Sequence, residues 1–200
     1  MKPPRASLPR WLPPALGAAV FLAVLISGAL VTADWVKRGT EMRALVAQIE
    51  VSEAAMGQAQ DAVREAFAPY EGTGALTEAD RQALDAALSA VARDGLAGVT
   101  RGGDLVASVA ALPWHRDIEA ARAAYLAHNR AWQGYLSAAA EDPAEFAVTH
   151  DDVNSTWESA EPVVRGAVPQ PDLFGLGERV DAIFADEPAT AAEGQVSFRQ

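Results

Sequence analysis

The chain has 200 residues and no cysteine, which excludes disulfide scaffolds, thiolate metal sites and thiol nucleophiles. Half of the residues are hydrophobic but only 7% are aromatic, so a core can form around few large anchors. The formal charge of −11 is uneven: Lys2, Arg5, Arg10, Lys37 and Arg38 against Asp34 leave +4 before residue 39, and the remaining −15 repels nucleic acid.

The first element follows a short basic amino terminus, residues 1–10. Trp11 to Ala33 is a run of 23 residues without a charge, and about 20 suffice to cross a hydrocarbon core. Trp11 and Trp35 bracket it, with Lys37 and Arg38 just beyond, where interfacial anchors belong. Residues 11–36 therefore read as a transmembrane signal-anchor. The rival readings are a signal peptide cleaved near Ala33, which would leave a secreted body, and a buried soluble helix. The basic amino terminus and long acidic body predict a cytoplasmic amino terminus and an extracytoplasmic carboxy-terminal domain, although Lys/Arg counts on the two sides nearly tie.

After residue 40 no sustained period-2 alternation appears, and helical spacing recurs. Met42, Leu45, Ile49, Met56, Ala59 and Val63 follow a 3.5-like rhythm, with Ser52 as a weak position. This predicts a stalk-like helix over 37–68 that ends near Pro69 and packs with a helical bundle over 69–185. Thr77 to Asp80 resembles a capping box, followed by Leu84, Leu88 and Val91. Arg93-Asp94-Gly95 reads as a stop, Gly98 to Gly103 as an irregular connector, and Asp104 as the cap of a short helix through Leu112.

Pro113 begins the most amphipathic segment. Trp114, Ile118, Ala121, Tyr125, His128, Trp132, Leu136 and Ala139 fall on one face, and the helix should stop near Glu141. Asp142-Pro143-Ala144-Glu145 reads as the start of a short helix. Thr149-His150-Asp151-Asp152 then places a cap and two carboxylates at the next helix start, with Val153, Trp157, Ala160 and Val164 as the buried stripe. Pro162 predicts a kink or boundary. Leu176, Val180, Ile183 and Phe184 suggest a last short helix, and residues 186–200 a loose tail.

Little of this looks chemical. No Glu-x-x-His pair, zincin pattern, nucleophile elbow or nucleotide loop occurs, so neither a dedicated metal nor a cofactor is expected. His115 and Glu119 have the spacing of a pair on a solvated helix face. Two places remain as candidate ligand sites. His128, Asn129 and Trp132 could line a small pocket, although a core-edge imidazole bonded to a carbonyl is the blander reading of His128. His150, Asp151 and Asp152 form the second place, although capping accounts for most of that cluster.

Tyr125-Leu-Ala-His128-Asn129 and Ser155-Thr-Trp157-Glu-Ser-Ala160-Glu-Pro162, behind a basic start and a single span, resemble the single-pass exported or membrane-anchored helical proteins of high-GC actinobacteria. That resemblance implies a helical body at the membrane and carries no activity or site residue. The resulting expectation is an all-α, membrane-anchored, extracytoplasmic interaction, scaffold or sensing domain. Its partners would be the bilayer through residues 11–36 and a membrane or envelope protein. The alternative is a small-ligand-binding or metal-dependent hydrolytic domain using the His128 and His150/Asp151/Asp152 regions.

Overall fold

The computed structural model describes residues 12–72, 75–147 and 151–185, with side chains from residue 17 onward except at 147. The chain is all-α, with no strand among the described residues. Five helices follow in order: α1 (Leu12–Phe67), α2 (Glu78–Ala107), α3 (Arg116–Glu141), α4 (Asp151–Gly166) and α5 (Leu176–Ala185). Short 3-10 turns, Ala68–Tyr70 and Pro143–Ala147, follow α1 and α3. The chain divides into two compact units, residues 1–38 and residues 39–200.

In the first unit, the amino-terminal part of α1 is long and apolar enough to cross a membrane, and none of its apolar window is buried. Val20, Phe21, Leu22, Val24, Leu25, Ile26, Leu30 and Val31 are all exposed. Trp11 lies outside the described residues. Trp35 and Arg38 are half-buried, and Lys37 is exposed.

The second unit is a helical bundle with two apolar clusters, one towards each end. The first joins Met42, Leu45, Val46 and Ile49 of α1 to Val106, Ile118, Tyr125, Trp157, Val164, Leu176, Val180 and Phe184. The second joins Met56 to Leu84, Leu88, Val99, Trp132, Leu136, Phe146 and Val153. The apolar rhythm read for α1 thus lies in the core, and Ser52, its weak position, is also fully buried.

Helix α2 starts at the expected cap. Thr77 Oγ1 accepts from the Asp80 amide at 3.2 Å, and Asp80 Oδ2 accepts from the Thr77 amide at 3.3 Å. It does not stop at Gly95. The expected stop, connector and separate short helix are one helix running to Ala107. Two of its glycines serve close approach to α1: a Cβ on Gly95 would meet Ala59 Cβ at 2.9 Å and one on Gly102 would meet Ser52 Oγ at 2.8 Å, whereas one on Gly98 would make only ordinary contact with Ala55 Cβ at 3.7 Å. A helical glycine costs about 1 kcal/mol relative to alanine, and here the close packing of two backbones offsets that cost.

Helix α3 buries Ile118, Ala121, Tyr125, His128, Trp132, Leu136 and Ala139, as its periodicity predicts, together with Asn129. Trp114 departs from the expected face. It precedes the helix, in the loop, and is 64% exposed. His115 departs too: its Nδ1 lies 2.6 Å from Glu41 Oε2, and both side chains are buried. It therefore does not share a solvated face with Glu119.

In α4, Asp151 and Asp152 occupy the first turn, and Val153, Trp157, Ala160 and Val164 are buried. Thr149, expected to cap α4, lies outside the described residues, as do His150 and the expected tail over 186–200. Pro162 is no boundary, because α4 continues through it to Gly166. Pro162 and Glu158 are both exposed, so water can hydrate the carbonyl that the missing amide leaves unpaired. Before α5, the amides of Phe174, Leu176 and Gly177 donate to the Asp172 carboxylate at 3.2, 3.0 and 2.7 Å. The Gly177 and Leu176 amides hold that carboxyl below its usual range.

Candidate functional site

Between the two apolar clusters lies a layer of polar side chains. Four of the five helices contribute to it. α1 supplies Ser52 and Glu53, α2 supplies Gly102 and Gly103, α3 supplies Tyr125, His128, Asn129 and Gln133, and α4 supplies Val153 and Thr156.

Asn129 is the hub. Its Nδ2 donates to Ser52 Oγ at 3.0 Å and to the Val99 carbonyl at 3.0 Å, and its Oδ1 accepts from Gln133 Nε2 at 2.6 Å. Both amide donors are therefore used, which a buried amide requires, because an unmet donor costs about 1–3 kcal/mol. The α2 glycines make room for this. A Cβ on Gly103 would overlap Asn129 Oδ1, and one on Gly102 would press on Ser52.

His128 faces the other way, towards α4. Its Nδ1 lies 3.2 Å from the Val153 carbonyl and 3.3 Å from Thr156 Oγ1. The carbonyl requires Nδ1 to carry the proton and donate. The ring sits 4.9 Å from Trp157 and 6.1 Å from Tyr125. Burial pushes its pKa down from 6.5 to about 4, and the bond to Val153 opposes this only in part. The imidazole is thus neutral at pH 7.

Tyr125 and Glu53 form the third part of the layer. The Tyr125 hydroxyl donates to Glu53 Oε1 at 2.6 Å. Desolvation pushes the Glu53 carboxyl from 4.5 up to about 7, against the lowering effect of the Tyr125 bond. Burial and the neighbouring Glu53 carboxylate raise the Tyr125 phenol well above its usual 10. Elevated carboxyls often mark catalytic acids. This one is half-buried and engaged by a phenol.

His150 lies outside the described residues, and the Asp151 and Asp152 carboxylates make no hydrogen bond or ion pair with His128, Asn129 or Trp132 among the described residues. His128, Asn129 and Trp132 are all buried on α3 and face different neighbours. His128 faces α4, Asn129 faces α1 and α2, and Trp132 lies in the second apolar cluster with its ring 5.6 Å from Tyr135. Asp151 and Asp152 are exposed. A shallow surface depression takes in Asp152, with Arg130, Gly134, Tyr135, Val153 and Thr156. His128, Asn129 and Trp132 do not line it. Among the described residues, no group of three His, Asp or Glu side chains converges closely enough to hold a metal ion.

Sequence reasoning overlooked Glu53, the Tyr125 hydroxyl and the Glu41–His115 pair. Ser52 gave the available signal, a polar residue in an apolar rhythm. Gly102 and Gly103 gave another, had they been read as helix contacts rather than a connector. Comparison of the chain with protein-family models, with curated proteins and with solved structures finds no match.

Proposed function

We propose that the chain is a single-pass membrane protein. Residues 11–36 cross the bilayer with the amino terminus cytoplasmic, and the acidic helical domain acts outside the cytoplasm as an interaction or sensing module without catalytic activity. The observation that carries this reading is the contrast within α1. Every large apolar side chain described between residues 17 and 31 is exposed, which water disfavours at about 25 cal/mol per Å². Hydrocarbon is the solvent that suits it. The completeness of the Asn129 network supports the non-catalytic part, because its buried amide is committed to the fold rather than aimed at a cleft. The bundle can then present its outer surface to a protein partner in the membrane or envelope.

The test is crosslinking of the full chain in native membranes with identification of the captured protein. It is paired with a reporter, active only outside the cytoplasm, fused after Gln200. An active reporter and a reproducible partner are expected. A silent reporter reverses the orientation. Stoichiometric zinc, iron or calcium in the purified protein would overturn the non-catalytic reading in favour of a ligand-binding or hydrolytic one.

A further inference from the structure

Two loops of the helical domain each present a large apolar side chain to solvent. Trp114 is 64% exposed and Leu173 is 72% exposed, the most exposed large hydrophobics among the described residues from 39 onward. Neither position looks accidental. The loop before α3 is pinned by one carboxylate: Glu41 Oε2 accepts from the Leu112 amide at 3.2 Å and meets His115 Nδ1 at 2.6 Å. Trp114 lies between these two anchors, with its ring 6.0 Å from that of His115. The loop before α5 is pinned by Asp172, whose carboxylate gathers three backbone amides and leaves Leu173 pointing away. Two firmly held loops thus expose the kind of side chain that loops usually shelter.

Both loops meet α1 at the same place. Gly39 packs against the Phe174 ring so closely that a Cβ would overlap it. The Arg43 guanidinium lies 4.9 Å from the centre of that ring. Glu41 holds the other loop. The contact residues 39, 41 and 43 begin only three residues beyond Val36, the end of the proposed span. Three residues reach at most about 10 Å even when fully extended. If residues 11–36 cross the bilayer, connectivity alone keeps this end of the domain within reach of the headgroups. The rim suits that place. Arg43 and Arg116 are exposed beside the two loops, on a body that is otherwise strongly acidic. Tryptophan and arginine are the residues that interfacial and anionic headgroup regions favour.

We propose that this end of the helical domain is a lipid-docking surface: Trp114 and Leu173 seat in the interfacial region of the bilayer that the chain's own span crosses, with Arg43 and Arg116 facing anionic phosphates. The proposal rests on the membrane-anchored reading above. Docking of this kind fixes the domain against the membrane, so the opposite end, around Tyr70 and Glu71, is left for a partner.

The chain has no cysteine, so single labelling sites are clean. The full chain is reconstituted in vesicles of phosphatidylcholine with a minority of phosphatidylglycerol. It carries one nitroxide at a time through Trp114→Cys, Leu173→Cys, Glu71→Cys or Leu25→Cys. Relaxation by oxygen, which favours lipid, is compared with relaxation by a water-soluble nickel chelate. The oxygen-to-nickel ratio at 114 and 173 is expected to exceed that at 71 several-fold and to approach that at 25. Ratios at 114 and 173 equal to that at 71, with 25 still lipid-like, overturn the docking surface and leave the anchor standing. An aqueous signal at 25 overturns the anchor and the docking together. Labels at 114 and 173 shielded from both agents, with spin–spin broadening that unlabelled chain removes, assign the surface to a second copy and overturn lipid docking. In pure phosphatidylcholine the ratio at 114 should fall, and an unchanged ratio removes the role given to the arginines.

Discussion

Replacing Glu53 with glutamine should stabilise the protein above neutral pH. The carboxyl titrates at 4.5 when exposed and at about 7 in the folded chain, because desolvation outweighs the Tyr125 hydrogen bond. Between those values the folded state binds the extra proton, so stability falls as pH rises from 4.5 through 7 and then levels off. At about 1.4 kcal/mol per pH unit, ionising the carboxyl in place costs about 3 kcal/mol. Glu53 is only half-buried, and residual hydration brings the expected gain to about 1–3 kcal/mol. Glutamine keeps an acceptor for the Tyr125 hydroxyl and cannot ionise. Urea unfolding of the full chain in detergent, followed by the fluorescence of Trp132 and Trp157, would read this directly. With a slope of about 1–3 kcal/mol per molar urea, the midpoint should rise by about 1 M at pH 8. It should not move at pH 4.5, where the carboxyl is largely protonated in the native state and the glutamine's advantage has gone. A Glu53→Gln variant no more stable than the parent at pH 8 would refute the reasoning and show that the carboxylate is well hydrated.

His128 should act with the opposite sign. Its folded pKa of about 4 lies below the ordinary 6.5, so its contribution is complete above pH 6.5 and is lost as pH falls towards 4, by up to about 3 kcal/mol. The two groups therefore offset each other between pH 4.5 and 6.5. Acidification over that range should destabilise Glu53→Gln and stabilise His128→Gln, each measured by the same urea titration. Gly103→Ala should lower the melting temperature by an amount equivalent to about 1–3 kcal/mol, because the new methyl overlaps the Asn129 amide oxygen. Gly134→Ala, in open space on α3, should instead raise it by about 0.5–1 kcal/mol. Thr77→Ala removes the cap of α2 and should cost about 1 kcal/mol in chemical unfolding.

The apolar periodicities were the most legible part of the fold. Met42 to Ala59, Ile118 to Ala139 and Val153 to Val164 repeat at helical spacing, and each repeat is a buried stripe. Local chemistry marked the Thr77 cap equally well. Sequence reasoning failed where a residue's meaning depends on a distant neighbour. Gly95 and Gly102 look like helix breakers until Ala59 and Ser52 lie against them. Pro162 looks like a boundary until the exposure of its helix face is known. His115 finds Glu41 from 74 residues away, a pairing that no spacing rule announces. The same holds for the polar layer. His128 and Asn129 were visible as polar residues at or beside a buried face, but adjacent positions on a helix diverge by about 100°. They therefore serve two separate contacts rather than one pocket.

The position of the Asn129 layer between two oily clusters has a consequence for how the helices choose their alignment. Alanine, valine and leucine on either side would tolerate a neighbour shifted along its axis, since dispersion contacts are nearly interchangeable. A shift of one turn, about 5.4 Å, would carry the Asn129 amide off Ser52 and the Val99 carbonyl and set it against methyl groups. Two stranded donors would then cost about 1–3 kcal/mol each. The layer works like a detent on a sliding shaft: it contributes little pull of its own, but it makes every other setting of α3 against α1 and α2 worse.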